Sequence, residues 1–273
     1  MTLKILVVGQ GLIGRSLSNL SLAEFRFDFT QRVDASSRNY LDLSLPLETS
    51  NINFSDFDQM IIAAGIMGEE ACRNQPELSF KINVTNTIEL ISHAVKFGIE
   101  IGFISSTYVS IFQNSSLLDR KHFPYTYQKS IVEHYIQQLS VPFLILRPGR
   151  VIHKKLRFLH DLETNLLKNT LVEVFDDNYF SPISLNKLKL VTSKLLDQHF
   201  TGIFNLVGQK PITNFELASA WCVARGLNSE LLIPRKSYQS QRDLNTSHSL
   251  ALEDLRTIGD LPESFEDLIQ TIL

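Results

Sequence analysis

The sequence predicts an α/β protein, a Rossmann-like doubly wound parallel sheet with a small C-terminal substrate-binding lobe, and three observations lead there. The continuous β-rich run LKILVV at 3–8 passes directly into GQGLIG at 9–14. Further apolar runs recur in MIIAAG at 60–65, IEIGFISS at 99–106 and VPFLILRPG at 141–149. Stretches with helical periodicity separate these runs. Strands that are apolar at every position are buried on both faces, which requires helices on either side of a parallel sheet.

Each element has its own signal. Leu12, Ile13, Leu17 and Leu20 follow the glycine turn at roughly helical spacing, so the chain opens as strand, turn and helix. FRFDF at 25–29 reads as a second strand, FKINVTNTIELISHAVKFG at 80–98 as one long helix ending at Gly98, and YQKSIVEHYIQQLS as another helix. Beyond Gly149 the regularity weakens. KKLRFLHDLETNLLKN and LNKLKLVTSKLLDQHF read as helices on either side of DDNYFSPIS, a polar, turn-rich insertion. GIFNLVG is a short strand returning to the main body, and ITNFELASAWCVARGL and SFEDLIQTIL are closing helices. The expected division is a dinucleotide-binding domain over 1–150 and, over 151–273, mainly a small substrate-binding lobe with some segments returning to the main domain.

Composition excludes several classes. A chain of 273 residues is long enough for one substantial core or for a larger and a smaller domain. Its formal charge of -3, from 26 basic and 29 acidic side chains, provides no broad electropositive footprint for nucleic acid. The opening apolar run is too short for a membrane span or secretory leader, so a cytoplasmic location is expected. Cys72 and Cys222 have no local partner pattern and read as reduced thiols. The seven histidines show no metal-ligand spacing, and Asp161 with Glu163, like Asp176 with Asp177, reads as solvated carboxylates; no metal is expected. Trp221 is expected to pack a helix.

Gly9, Gly11 and Gly14 form GxGxxG between a strand and a helix. In that context the glycines permit the turn, admit a pyrophosphate close to the backbone and let helix and strand pack closely. Leu12 and Ile13 belong to the same cofactor-binding turn. No GKS or GKT follows, which speaks against a phosphate-transfer P-loop. An acidic residue at the end of the second strand favours NAD, and a basic residue nearby accommodates the 2′-phosphate of NADP. Asp28 and Arg32 are one candidate of each kind; Arg32 tilts the expectation to NADP, with NAD the alternative.

The segment FPYTYQKSIVEHYI holds Tyr125 and Tyr127 ahead of Lys129. Four residues apart on a helix, Tyr125 and Lys129 share a face, whereas Tyr127 points elsewhere. An ammonium beside the phenol is expected to favour phenolate and ease proton transfer at a carbonyl. Upstream, Ser105, Ser106 and Thr107 sit where a strand ends, the usual ligand edge of an open α/β sheet. A hydroxyl there can donate to a developing oxyanion or simply cap the chain.

Taken in order, GQGLIG, MIIAAG, FKINVTNT, ISSTYVS, YTYQK and LRPGRV resemble the extended short-chain dehydrogenase/reductase family over nearly the whole chain. The resemblance implies that Tyr125 is the acid or base, that Lys129 supports it while binding the nicotinamide ribose, and that Ser106 is the strand-end hydroxyl. It also implies that Ala63 and Ala64 line the cofactor and that Asn83 supports the cofactor site through its helix. Within the family the C-terminal half is similar to dTDP-4-dehydrorhamnose reductases and related nucleotide-sugar reductases. DDNYFSPIS and QRDLNTS at 241–247 carry that likeness, with Asp243 where the relatives have proline. The implied activity is NAD(P)H-dependent reduction of a keto group on a nucleoside-diphosphate sugar, a 4-keto-6-deoxy sugar in particular. Thr107 and Arg242 are the implied substrate contacts, and the helices around 80–97 and 125–139 imply a homodimer.

The sequence also departs from the family pattern. Only 18 residues separate Ser106 from Tyr125, fewer than usual, and SIFQNSS replaces the usual continuation of the strand-end motif. Two alternatives therefore stand beside the reductase: a nucleotide-sugar epimerase and a non-enzymatic NADP-binding regulatory subunit. A dehydratase is disfavoured because Thr107 and Tyr108 occupy the position of its Asp-Glu pair.

Overall fold

The computed structural model describes residues 2–17, 20, 23–112, 121–237 and 252–273. The chain divides into two compact units, one of residues 1–147 with 189–204, the other of residues 148–188 with 205–273.

In the first unit, β1 (Leu3–Val8) leads into α1 (Leu12–Leu17) and β2 (Phe25–Phe29). After an irregular stretch come β3 (Gln59–Ile62), α2 (Glu69–Asn74), α3 (Pro76–Phe80), α4 (Asn86–Val95) and β4 (Glu100–Ile104). The strand β4 is followed by α5 (Thr107–Phe112), α6 (Pro124–Ile136) and β5 (Phe143–Pro148). β2, β1, β3, β4 and β5 lie side by side in that order and pair in parallel. Ile5, Leu6, Val7 and Val8 are at most 1% exposed, as an apolar strand covered on both faces must be. Each such side chain contributes roughly 1.5–3 kcal/mol on burial. One core layer joins Leu6, Val8, Met60, Ile62, Ile101 and Phe103 of the sheet to Leu90 and Ile91 of α4 and Val132 and Ile136 of α6.

From β1 the chain adds β2 on one side and β3 on the other. The reversal of strand order therefore falls between β1 and β3, where open α/β sheets bind ligands at the carboxyl ends of the strands. The glycine turn and the Ala63–Ala64 loop leave from those two ends.

The single long helix expected over 80–98 is instead α3, a π-turn at Lys81–Thr85 and α4. The wide turn is centred on Asn83, whose side chain is bonded to other parts of the protein rather than lying on a regular helix surface. A π-turn leaves no mark in apolar periodicity.

The second unit begins with β6 (Arg150–Ile152), α7 (Arg157–Leu167), β7 (Val172–Phe175), β8 (Tyr179–Phe180) and β9 (Pro182–Ser184). The polar insertion expected at 176–184 is thus largely two short strands, and β9 pairs in parallel with β6. The chain then returns to the first unit, which holds most of the helix α8 (Leu185–Asp197) and of β10 (Gly202–Leu206), the strand at the sheet edge beside β5, before it re-enters the second unit. Then come β11 (Ile212–Thr213), α9 (Asn214–Arg225), β12 (Leu232–Arg235) and a C-terminal helix at Phe265–Ile272. α9 opens with a reciprocal capping box between Thr213 and Glu216 and closes on Gly226 in the left-handed region. Trp221 and Cys222 pack into this unit's core with Leu162, Leu166, Phe180 and Leu217. Both cysteines are free and buried. No helix among the described residues is long and apolar enough to cross a membrane.

Candidate active site

Each glycine of the turn answers a different steric demand. Gly9 has φ +103°, and a Cβ there would lie 2.8 Å from Ala64 backbone atoms, so the turn also brings the β1 and β3 loops into contact. A Cβ on Gly14 would lie 2.0 Å from the Gly9 carbonyl oxygen, which forces glycine where α1 packs on the turn. At Gly11 an added Cβ meets nothing within 4 Å. Gly11 therefore leaves bare backbone open at the switch point, the shape that admits a diphosphate. Leu12 is 41% exposed on the same turn, and Ile13 is half-buried.

The turn is tied to β2 by Thr30, whose Oγ1 accepts a hydrogen bond from the Gly9 N–H at 3.1 Å. Asp28 sits two residues earlier, with Arg26 at 3.8 Å. Arg32 is exposed just beyond the strand. Of the two candidates for cofactor selection, the basic one is thus the one presented past the strand end.

Ala63 continues β3 by donating its N–H to the Val8 carbonyl at 2.8 Å. Asn83 then clasps the following loop: its Oδ1 accepts from the Ile66 N–H at 2.7 Å and its Nδ2 donates to the Ile66 carbonyl at 2.8 Å. The same Nδ2 lies 2.8 Å from Gln128 Oε1 on α6, and Gln128 Nε2 donates to Ser79 Oγ at 2.9 Å. Asn83 thus shapes the loop beside the glycine turn and ties it to the helix carrying Tyr125 and Lys129. Gln128 completes this chain from a position between those two residues, and nothing in its spacing marks it.

The side chains of Tyr125 and Lys129 do share a face of α6, with Nζ 5.7 Å from the centre of the Tyr125 ring. The ammonium donates to the Ile104 carbonyl at 2.8 Å and lies 4.4 Å from the Phe103 ring centre. Both partners belong to the last residues of β4, so Lys129 ties the helix to the strand end that presents Ser105 and Ser106. Burial pulls the Lys129 ammonium down to about 8, against the opposing influence of Glu133 and Cys72.

Electrostatics correct one expectation. Rather than being eased toward phenolate, the half-buried Tyr125 phenol is held well above its ordinary range, by burial first and then by Cys72 and Glu69. Burial also pushes the Cys72 thiol up, keeping it neutral near pH 7. The phenol therefore keeps its proton, the form a proton donor needs.

Ser106 is half-buried, and its Oγ accepts the Tyr108 N–H at 3.3 Å. That is an N-cap at the start of α5, and it leaves the hydroxyl proton available to a ligand oxygen. Ser105 is buried with no partner for its Oγ among the described residues. Thr107 is buried within the first turn of α5. Arg242, the QRDLNTS motif and most of SIFQNSS lie outside the described residues.

Behind Lys129, one turn further along α6, Glu133 forms a buried ion pair with Arg147 of β5. Arg147 Nε lies 3.0 and 3.1 Å from the two carboxylate oxygens, and Nη2 lies 2.5 Å from Oε2. This pair fixes α6 to the strand beside β4 and went unmarked in the sequence. Among the described residues no cluster of three metal-ligating side chains occurs.

A glycine turn at the strand-order reversal, a serine just past β4 and a tyrosine and lysine on the helix α6 tied to that strand end together define a Rossmann-like protein of the extended short-chain dehydrogenase/reductase type. The sequence profile described as RmlD substrate binding domain matches residues 3–272. The chain belongs to that family. No curated protein sequence matches it significantly.

Solved structures resemble it over their whole length. A dTDP-4-dehydrorhamnose reductase from Bacillus anthracis in complex with NADP is 16% identical, with 100% of this chain and 98% of that one covered and a TM-score of 0.78. A second, from Clostridium acetobutylicum, is 22% identical over 99% and 98% of the two chains, TM-score 0.76. A UDP-glucose 4-epimerase from Thermus thermophilus in complex with NAD is 16% identical over 99% and 97%, TM-score 0.72. At these identities the likeness is one of fold.

Proposed function

We propose that the protein is an NADPH-dependent reductase of a keto group on a nucleoside-diphosphate sugar, in particular a 4-keto-6-deoxy sugar, acting in the cytoplasm. The observation that carries this reading is the Tyr125–Lys129 face of α6, anchored to the Ile104 carbonyl two residues before Ser106. Together with Ser106 it would present a protonated phenol, a strand-end hydroxyl and an ammonium at the ligand edge of the sheet. Gly9, Gly11 and Gly14, with Ala63 and Ala64, would hold the dinucleotide, and Arg32 would meet its 2′-phosphate. Asn83 would act indirectly, by shaping the loop at Ile66.

The nicotinamide, when bound, supplies the hydride. The remaining work falls to this chain. Ser106 donates a hydrogen bond to the sugar carbonyl oxygen as negative charge develops there, and Tyr125 passes its phenolic proton to that oxygen. Lys129 holds the ribose and offsets the charge left on the phenolate. Arg242 is the proposed contact for a substrate phosphate.

The test is oxidation of NADPH, with NADH in parallel, across a panel of nucleoside-diphosphate keto sugars. Turnover with a ketone and stoichiometric cofactor oxidation support the reductase. Interconversion of sugars without net oxidation selects the epimerase, the activity for which the Thermus thermophilus protein is named. Cofactor binding with no turnover on any sugar, joined to co-purification with a larger enzyme, selects a regulatory subunit.

A further inference from the structure

We infer that Glu69 is a positioning residue for Tyr125, acting from a separate helix by capping the first turn of α6. The inference rests on the reading of Tyr125 as proton donor.

The start of α6 has a capping problem that its own sequence leaves unsolved. A helix begins with N–H groups that have no partner one turn back. Phe123, at the N-cap, makes no side-chain cap. Pro124, at the first helical position, has no N–H to satisfy. The first hydrogen bond to a carbonyl one turn back is Tyr127 N–H to Phe123. The Tyr125 and Thr126 N–H groups remain, and one of them belongs to the proposed acid itself.

Glu69, at the first position of α2, fills both needs. Its Oε2 accepts from the Tyr125 N–H at 2.8 Å, and its Oε1 accepts from the Thr126 N–H at 3.2 Å and from Thr126 Oγ1 at 2.5 Å. Hydrogen bonds to a charged acceptor are stronger than neutral ones. The helix that carries Glu69 is itself anchored: Cys72 is fully buried, and Arg73 donates to the His122 carbonyl at 3.0 Å, just before α6 begins. The backbone from which the phenol projects is thus held by α2, 56 positions away in sequence.

A carboxylate at this point also has an electrostatic consequence. The positive end of a helix favours nearby negative charge, and uncompensated it would ease a first-turn phenol toward phenolate. Glu69 opposes this and helps keep the phenol protonated. The groups facing the phenol are Glu69 and Cys72 from α2 and Lys129 from its own helix. Of the other elements packed on α6, α5 carries Tyr108, the π-turn carries Lys81, whose ammonium donates to the Ser44 carbonyl, and α4 carries Glu89 and His93.

The test compares Glu69→Ala, Glu69→Gln and Tyr125→Phe, using NADPH and the best ketone of the panel. Alanine removes every bond. Glutamine keeps the shape and one acceptor oxygen but loses the charge. Misplacing a reacting group by about 1 Å can cost about 100-fold, so Glu69→Ala is expected to lower kcat about 10- to 100-fold, with NADPH affinity changed less than about twofold. Glu69→Gln is expected to recover most of the kcat lost in Glu69→Ala, because it keeps an acceptor oxygen for the Tyr125 N–H.

Wild-type kcat in folded Glu69→Ala would overturn the inference. So would a loss in Glu69→Gln as large as that in Glu69→Ala, joined to NADPH binding weakened in proportion. Collapse in Tyr125→Phe alone would leave the acid assignment standing and reject Glu69; full turnover in Tyr125→Phe would reject the acid assignment itself.

Discussion

The glycine turn and the start of α6 belong to the same unit but are built in opposite ways. Gly9, Gly11 and Gly14 lie within six residues, and their fitness comes from side chains they lack: one positive φ, one carbonyl that tolerates no Cβ and one open backbone face. The start of α6 depends on side chains from far away in sequence, with Glu69 capping it, Gln128 bonded to Asn83, and Lys129 and Glu133 tying it to β4 and β5. A backbone-made site is written locally. A site made by side chains is written across the whole domain, and a change in any of several elements reaches it.

The contrast can be broken most forcefully at Tyr125. Replacing it by Phe should lower kcat on the best keto sugar by about 10²- to 10⁴-fold, the range for a lost general acid, with NADPH affinity nearly unchanged. Steady-state kinetics paired with a fluorescence titration of NADPH reads both quantities.

Next in size is the anchor behind Lys129. Glu133→Gln leaves the Arg147 charge without its carboxylate partner at a site 5% exposed, and breaking such a pair costs about 3–5 kcal/mol. Thermal unfolding should show a markedly lower Tm; an unchanged Tm would mean that α6 does not depend on this long-range contact.

Two glycines sharpen the comparison from the other side. Gly14→Ala should destabilise the fold, since the Cβ has no room beside the Gly9 carbonyl. Gly11→Ala should leave Tm unchanged and weaken NADPH binding by about tenfold, because the added methyl fills only the open face that a diphosphate would use. Equal NADPH affinity in Gly11→Ala and wild type would remove the turn from the cofactor site.

The smallest expected effect is that of pH on Lys129. With the ammonium pulled down to about 8, its charge is present below that pH and lost above it. NADPH affinity should weaken a few-fold as pH rises through about 8, and the dependence should vanish in Lys129→Met. The effect on stability has the opposite sign. Because the folded state releases this proton more readily than the unfolded chain, the lysine's unfavourable contribution is greatest at low pH and fades between about 8 and the ordinary lysine value of about 10.5.

Legibility in the sequence follows the same contrast. LKILVV, MIIAAG and the later apolar runs announced the sheet because the doubly covered part of a strand must be apolar on both faces, as Ile5 to Val8 are. The turn announced its three glycines because no other residue fits two of those positions. Tyr125 and Lys129 were legible as a pair because four residues on a helix is a face. The elevated phenol was not, because its causes, burial first and then Cys72 and Glu69, become visible only once α2 is folded against α6. Asn83 was recognised through its motif, while its bonds to Ile66 and Gln128 and the π-turn around it required the fold. DDNYFSPIS was read as a turn because Asp, Asn, Ser and Pro dominate it, yet two of its residues form β8 and three form β9, drawn into pairing by β11 and β6. Strands this short carry too little alternation to outweigh turn-forming residues.

The central claim is that hydride leaves the cofactor for a sugar carbonyl and does not return. The most direct measurement is mass analysis of the sugar product after reaction with NADPH deuterated at the transferring position of nicotinamide C4. The account predicts one deuterium in the product for each NADP formed, and loss of that transfer in Tyr125→Phe. A sugar product without deuterium, or isomerised sugar with the NADPH left intact, would contradict it.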